Sequence, residues 1–124
     1  LDTELMSTYN PKLVEILKLL GLYGKGRLFS FRSIWGQLSK EGVSCYIKDH
    51  DHYTNPSDTL SWVHFVKVPK QKCFYFKKGE KKIYPPCQKS GDFIVFPSYC
   101  IHGVDERKNL DERFVIVGNI IRTK

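Results

Sequence analysis

Three histidines and one arginine are the residues in this sequence best spaced to do chemistry. His50 and His52 stand one residue apart in "KDHDHYT", and fifty residues on "FPSYCIHGVDERKNLDERF" supplies His102 and then Arg113. In an extended segment side chains two apart point to the same side, so His50 and His52 can present two imidazoles to one point in space. Asp49 and Asp51 alternate with them and are available as carboxylates that support the ligands from behind. An HxH pair alone is a weak signal, because surface loops carry such pairs without a metal. A third histidine from a distant strand gives it weight: three ligands from two strands make a facial set that leaves positions open for substrate. Imidazole suits Fe, Zn, Cu and Ni alike, so the ligand type alone does not name the metal.

Arg113 opens the apolar run "RFVIVGNII" and shares a face with Val115, Val117 and Asn119. A guanidinium cannot shed its charge, so on an apolar face it must meet an anion. The alternative is a place at the strand's mouth, in water, paired with Glu112 or Asp111; alternation leaves both open. His64 lies between Trp62 and Val66 in a strand-like run and reads as a packing or surface residue. No Ser/His/Asp set or paired glutamates accompany these residues, which leaves acid–base hydrolysis without candidates.

The elements that must position them are short. Asn10 as cap, Pro11 at the first position and Gly21 at the end mark one helix, with Leu13, Ile16, Leu17 and Leu20 on a single apolar face. Beyond Gly26 the pattern turns to strands at 27–39, 42–50, 59–68, 72–79, 81–86, 91–104 and 113–122, each rich in β-branched and aromatic residues and bounded by turn residues. Seven strand segments with no helix between them predict an antiparallel sandwich, jelly roll or barrel. On alternation through 91–104, His102 shares a face with Ile94, Phe96 and Cys100. No repeat or linker divides the chain, so residues 1–124 are expected to form one domain.

The 124 residues suffice for one hydrophobic core, and no apolar run is long enough to span a bilayer. A signal-peptide pattern is absent, and a start at Leu1 leaves room for native residues upstream. Cys45, Cys73, Cys87 and Cys100 form no CxxC pair, and Cys45 and Cys73 sit in apolar segments; they read as reduced thiols of a cytoplasmic protein. The net charge of +7 is concentrated in eight lysines between Lys67 and Lys89. Such a stretch suits an anionic partner, protein or nucleic acid, although lysines also protect edge strands from pairing.

Taken together, "HDH…TLSWVHFVKVP…GDFIVFPSYCIHGV…ERFVIVGN" resembles the Fe(II)/2-oxoglutarate-dependent oxygenases. It is most similar to the phage and bacterial members with an HxH, a Ser-Gly-aromatic strand, G-D-x-x-x-F-P-S, a histidine and R-x5-N. The order and spacing hold over roughly residues 30 to 121. The resemblance implies a double-stranded β-helix, the cupin-like jelly roll, with the helix packed on its sheet and Fe(II) in its open mouth. His50 and His102 take the family's two histidine positions, and His52 stands where commoner members have Asp or Glu; Asp51 or Asp49 then offsets the charge. Arg113 pairs with the distal carboxylate of 2-oxoglutarate. Val115 replaces a hydroxyl residue that many relatives use for the same carboxylate, which shifts that role to Tyr75 or Ser61, with Asn119 in support. Trp62 replaces a small glycine, and the segment between His52 and Ser61 is longer than in relatives.

The implied reaction consumes O2 and 2-oxoglutarate, releases succinate and CO2, and hydroxylates a C–H bond of an unidentified substrate. The protein's part is orientation and protection of its own side chains. Cys100, two residues from His102, is a target for accidental oxidation. Two other readings compete: a phage-type jelly-roll binding or structural module with a degenerate metal site, and a different metal enzyme on a cupin-like scaffold.

Overall fold

Tyr9, Leu13 and Leu17 recur every fourth residue and so line one side of a helix. The structure, a computed structural model, describes residues 3–23, 28–39, 45–50, 59–107 and 112–123. In it the helix α1 spans Thr3–Leu19, starting well before the expected cap at Asn10, and Pro11 lies inside it. The apolar stripe explains the difference: it extends back through Tyr9 to Leu5, which pack with Leu13 and Leu17 in one cluster. An interior proline forfeits the bond to the carbonyl four residues back. That carbonyl belongs to Ser7, an exposed residue. Leu20, expected on the buried face, is 54% exposed. Gly21 ends the helix as expected, with φ +71°, while the amides of Gly21 and Leu22 reach back to the carbonyls of Lys18 and Leu17.

Eight strands follow: β1 Leu28–Ser39, β2 Cys45–His50, β3 Thr59–Lys67, β4 Phe74–Lys78, β5 Lys81–Ile83, β6 Phe93–Pro97, β7 His102–Arg107 and β8 Arg113–Thr123. They form two four-stranded sheets, ordered β1-β8-β3-β6 and β2-β7-β4-β5, with every pair antiparallel. This is a jelly roll. The segment 91–104, read as one strand, is two: the Cys100 amide turns back onto the Pro97 carbonyl, and the chain passes from the first sheet to the second.

Alternation sorts the first sheet into two faces. Val63, Phe65, Ile94, Phe96, Val115 and Val117 meet Phe74 and Val104 of the second sheet in the interior. Trp62, Ile116 and Ile120 face outward and are covered by α1. Gln88 completes the second sheet where β5 is too short: its side-chain amide accepts from the Phe74 amide at 3.2 Å and donates to the Phe74 carbonyl at 2.8 Å.

Trp62 fits because of the residue opposite it. Trp62 pairs with Gly118 across β3 and β8, and a Cβ on Gly118 would lie 2.6 Å from the indole. The bulk added at 62 is therefore accommodated by its absence at 118. Gly118→Ala is expected to destabilise the protein by about 1–3 kcal/mol through overpacking, read as a lower melting temperature. In a Trp62→Leu background the same change should cost much less.

His64 is half-buried on the outer face, stacked on Phe93 at 4.4 Å and hydrogen-bonded through Nδ1 to the Tyr9 hydroxyl. Burial, and then the charge of Lys12, push its pKa below the usual histidine value. A depressed histidine pKa contributes stability that is present above the ordinary value near 6.5 and lost as pH falls below it. Physically, a protonated Nδ1 can no longer accept from Tyr9. The melting temperature should fall on acidification below that value, and His64→Gln should flatten the fall. Among the described residues, no helix is long and apolar enough to cross a membrane.

Candidate active site

β2 ends on His50 and β7 begins on His102, and the two residues face each other in the antiparallel register. Two β2 residues fit between Ile47 and His50 where β7 has one between Val104 and His102, so a bulge immediately precedes His50. Bulges of this kind re-aim the chain at a sheet's rim. On the other side of β7, His102 pairs with Phe76 of β4. His50, His102 and Phe76 thus form one row across the second sheet. His52 and Asp51 lie outside the described residues.

The His102 side chain is 4% exposed and enters the interior, with Phe96 at 5.0 Å, Phe74 at 5.7 Å and Phe76 at 6.4 Å between ring centroids. It does meet Phe96, as expected, but across the two sheets rather than by alternation along one strand. Its Nδ1 lies 2.9 Å from the Cys100 carbonyl. A carbonyl only accepts, so Nδ1 carries a proton, and Nε2 is the nitrogen left to face a metal. Cys100 itself is half-buried, and burial pushes its thiol pKa up, which keeps it in the less reactive protonated form.

Arg113 is 2% exposed and shares the interior face of β8 with Val115, which is fully buried. The structure therefore places it inside rather than in water at the rim. β7 leads away from His102, and the chain returns as β8 beginning with Arg113, so the imidazole and the guanidinium enter the jelly roll from opposite ends. A cation held this deep requires an anion facing it. The donor set fits the implied groups: an imidazole held through Nδ1 beside a second histidine position suits a divalent metal, and a buried guanidinium suits a carboxylate.

At the His102 end lies a polar cluster. Ser61 donates to Asn119 Oδ1 at 2.8 Å and is 2.8 Å from Ser98 Oγ. A hydroxyl has one proton, so Ser98 donates to Ser61. Ser61 opposes Phe96 in β3/β6 and Asn119 in β3/β8, which sets this cluster against the ring that touches His102. The sequence supplied Ser61 and Asn119 as candidates. Ser98, fully buried, stood in the quoted F-P-S but was given no role; its place after a strand ending in proline was the available signal. Tyr75 is not brought together with the others. It alternates with Phe74 and Phe76 and so lies on the outer face, 5.9 Å from the Tyr84 ring and beneath Lys82 at 4.6 Å. Among the described residues no cluster of three or more His, Cys, Asp or Glu forms.

No protein-family model matches the chain, and no curated protein sequence matches it. Solved structures do. An oxidoreductase of the 2OG-Fe(II) oxygenase family from Burkholderia pseudomallei superposes with TM-score 0.61 at 18% identity, over 90% of this chain and 57% of its own. EvdMO1 superposes with TM-score 0.74 at 16% identity, over 96% of this chain and 32% of its own. The viral collagen prolyl hydroxylase of Paramecium bursaria Chlorella virus-1, in its 2OG complex, gives TM-score 0.60 at 18% identity, over 98% of this chain and 74% of its own. The chain thus spans little more than half of the first of these proteins and a third of the second. The resemblance read in the motifs has its counterpart in three dimensions: the chain is folded as the jelly roll of the 2-oxoglutarate- and Fe(II)-dependent oxygenases.

Proposed function

We propose that the chain is a 2-oxoglutarate- and Fe(II)-dependent dioxygenase. The observation that carries this reading is His102: buried, held through Nδ1 by the Cys100 carbonyl, and opposite His50 at the end of β2. His50, His52 and His102 would hold Fe(II), with Asp51 offsetting its charge. Arg113 would take the distal carboxylate of 2-oxoglutarate as a bidentate pair. Ser61, oriented by Ser98 and Asn119, would offer a polar contact at the His102 end. A dicarboxylate with a chelating keto acid at one end matches an interior with imidazole at one end and guanidinium at the other.

When bound, the metal and cosubstrate supply the oxidation, in which O2 and 2-oxoglutarate give succinate, CO2 and a hydroxylated product. The chain's own residues bind and orient. Phe74, Phe76 and Phe96 around His102 keep water from that side of the centre, and no protein acid or base is needed. The test is succinate formation from 2-oxoglutarate without added substrate. Succinate that requires both Fe(II) and O2, and is absent in His102→Ala, supports the proposal; production no higher than in that variant contradicts it.

A further inference from the structure

The chain's excess charge lies in one place. Residues 67–89 hold eight lysines, one glutamate and no arginine; with 20 basic and 13 acidic side chains in all, the remaining positions hold twelve of each. Half of those lysines form the two rungs of the β4–β5 hairpin, Lys77 opposite Lys82 and Lys78 opposite Lys81. Like charges directly opposite are unfavourable, and edge protection needs no such pairing. The rungs differ in what they meet. Lys82 is held on the outer face by Asp105 at 2.7 Å, with Tyr84 on the same carboxylate, and covers Tyr75. Lys78 and Lys81 lie on the other face, two residues beyond inward-facing Phe76, and no carboxylate among the described residues pairs with either.

Phe76 stands level with His102, so the hairpin projects past the row of His50, His102 and Phe76. Lys78 and Lys81 overhang the mouth on the face that carries His102. The β6–β7 turn abuts this ledge, since the Lys77 amide donates to the Ile101 carbonyl at 2.9 Å, and it presents Tyr99 at 64% exposure. Lysine meets phosphate as a point charge. An exposed ring on the turn that meets this hairpin offers a stacking surface for an unpaired base.

Building on the oxygenase reading, we infer that the substrate is single-stranded nucleic acid, with its phosphates held by Lys78 and Lys81 and a base on Tyr99. Binding is measured by fluorescence anisotropy of fluorescein-labelled single-stranded DNA and RNA on the full chain, without iron or 2-oxoglutarate. Lys78→Gln/Lys81→Gln should weaken binding at least tenfold at low salt. It should also make the slope of log affinity against log salt shallower by about 1.4, from two contacts at about 0.7 each. Its melting temperature should not fall, because a like-charge rung is removed. Lys70→Gln/Lys72→Gln, which changes charge equally between β3 and β4, should stay within twofold of wild type. Equal losses in both variants would reduce the effect to net charge and overturn the inference. So would absence of binding, or preference for labelled polyglutamate. Because this assay needs no metal centre, its failure leaves the oxygenase reading to its own test, and nucleic-acid binding without 2-oxoglutarate turnover would overturn that reading alone.

Discussion

Arg113→Met will weaken 2-oxoglutarate binding by about 2–5 kcal/mol, roughly thirtyfold to several thousandfold, while the fold loses stability. The first part follows from truncating one partner of a buried charge pair, which leaves the other charge without its counterpart. The second follows because removing one side of a buried charged contact leaves the groups around it uncompensated, which costs about 3–5 kcal/mol. Arg113→Lys should fall between, keeping the charge and losing the fork. Calorimetric titration of 2-oxoglutarate into Mn(II)-loaded protein, with thermal denaturation alongside, measures both. A variant that melts early yet binds 2-oxoglutarate normally would make Arg113 a structural residue and leave the cosubstrate without an anchor.

His102→Ala should abolish stoichiometric metal binding and turnover. Losing a hydrogen-bond partner of a metal ligand already costs about 10–100-fold in affinity, and losing the ligand itself costs more. The substitution also opens space among Phe74, Phe76 and Phe96, so some stability is lost through the cavity. Added imidazole separates the two effects, because it can enter that space and restore a ligand. Partial recovery of Fe(II) binding with imidazole is expected; undiminished metal binding in the variant without it would remove His102 from the centre.

The site's legibility in the sequence varied with how local the cause was. Alternation placed Arg113 with Val115, Val117 and Asn119, because β8 itself has no extra residue between them; the bulges lie on β1 and β3. It could not decide whether Arg113 was buried, which depends on the second sheet closing over that face. For His102 the neighbour Phe96 was right and the route wrong: a turn after Pro97 sends the chain between sheets, and periodicity cannot register a change of sheet. Tyr75 shows the same limit, since its two neighbours proved to be the inward pair. The helix start was misplaced because proline at a first position and proline inside a helix look alike until the apolar stripe through Leu5 and Tyr9 is weighed. Trp62 stood out as a departure, and its compensation at Gly118 lay 56 residues away, visible only in the β3/β8 register.

The most direct test of one site built from His50, His52, His102 and Arg113 is anaerobic titration of Fe(II) and 2-oxoglutarate, followed by the visible metal-to-ligand charge-transfer band. A band is expected in the wild-type protein, absent in His102→Ala and displaced to much higher 2-oxoglutarate concentration in Arg113→Met. A wild-type protein that shows no band and binds no metal would contradict it, and the jelly roll would then be a binding module.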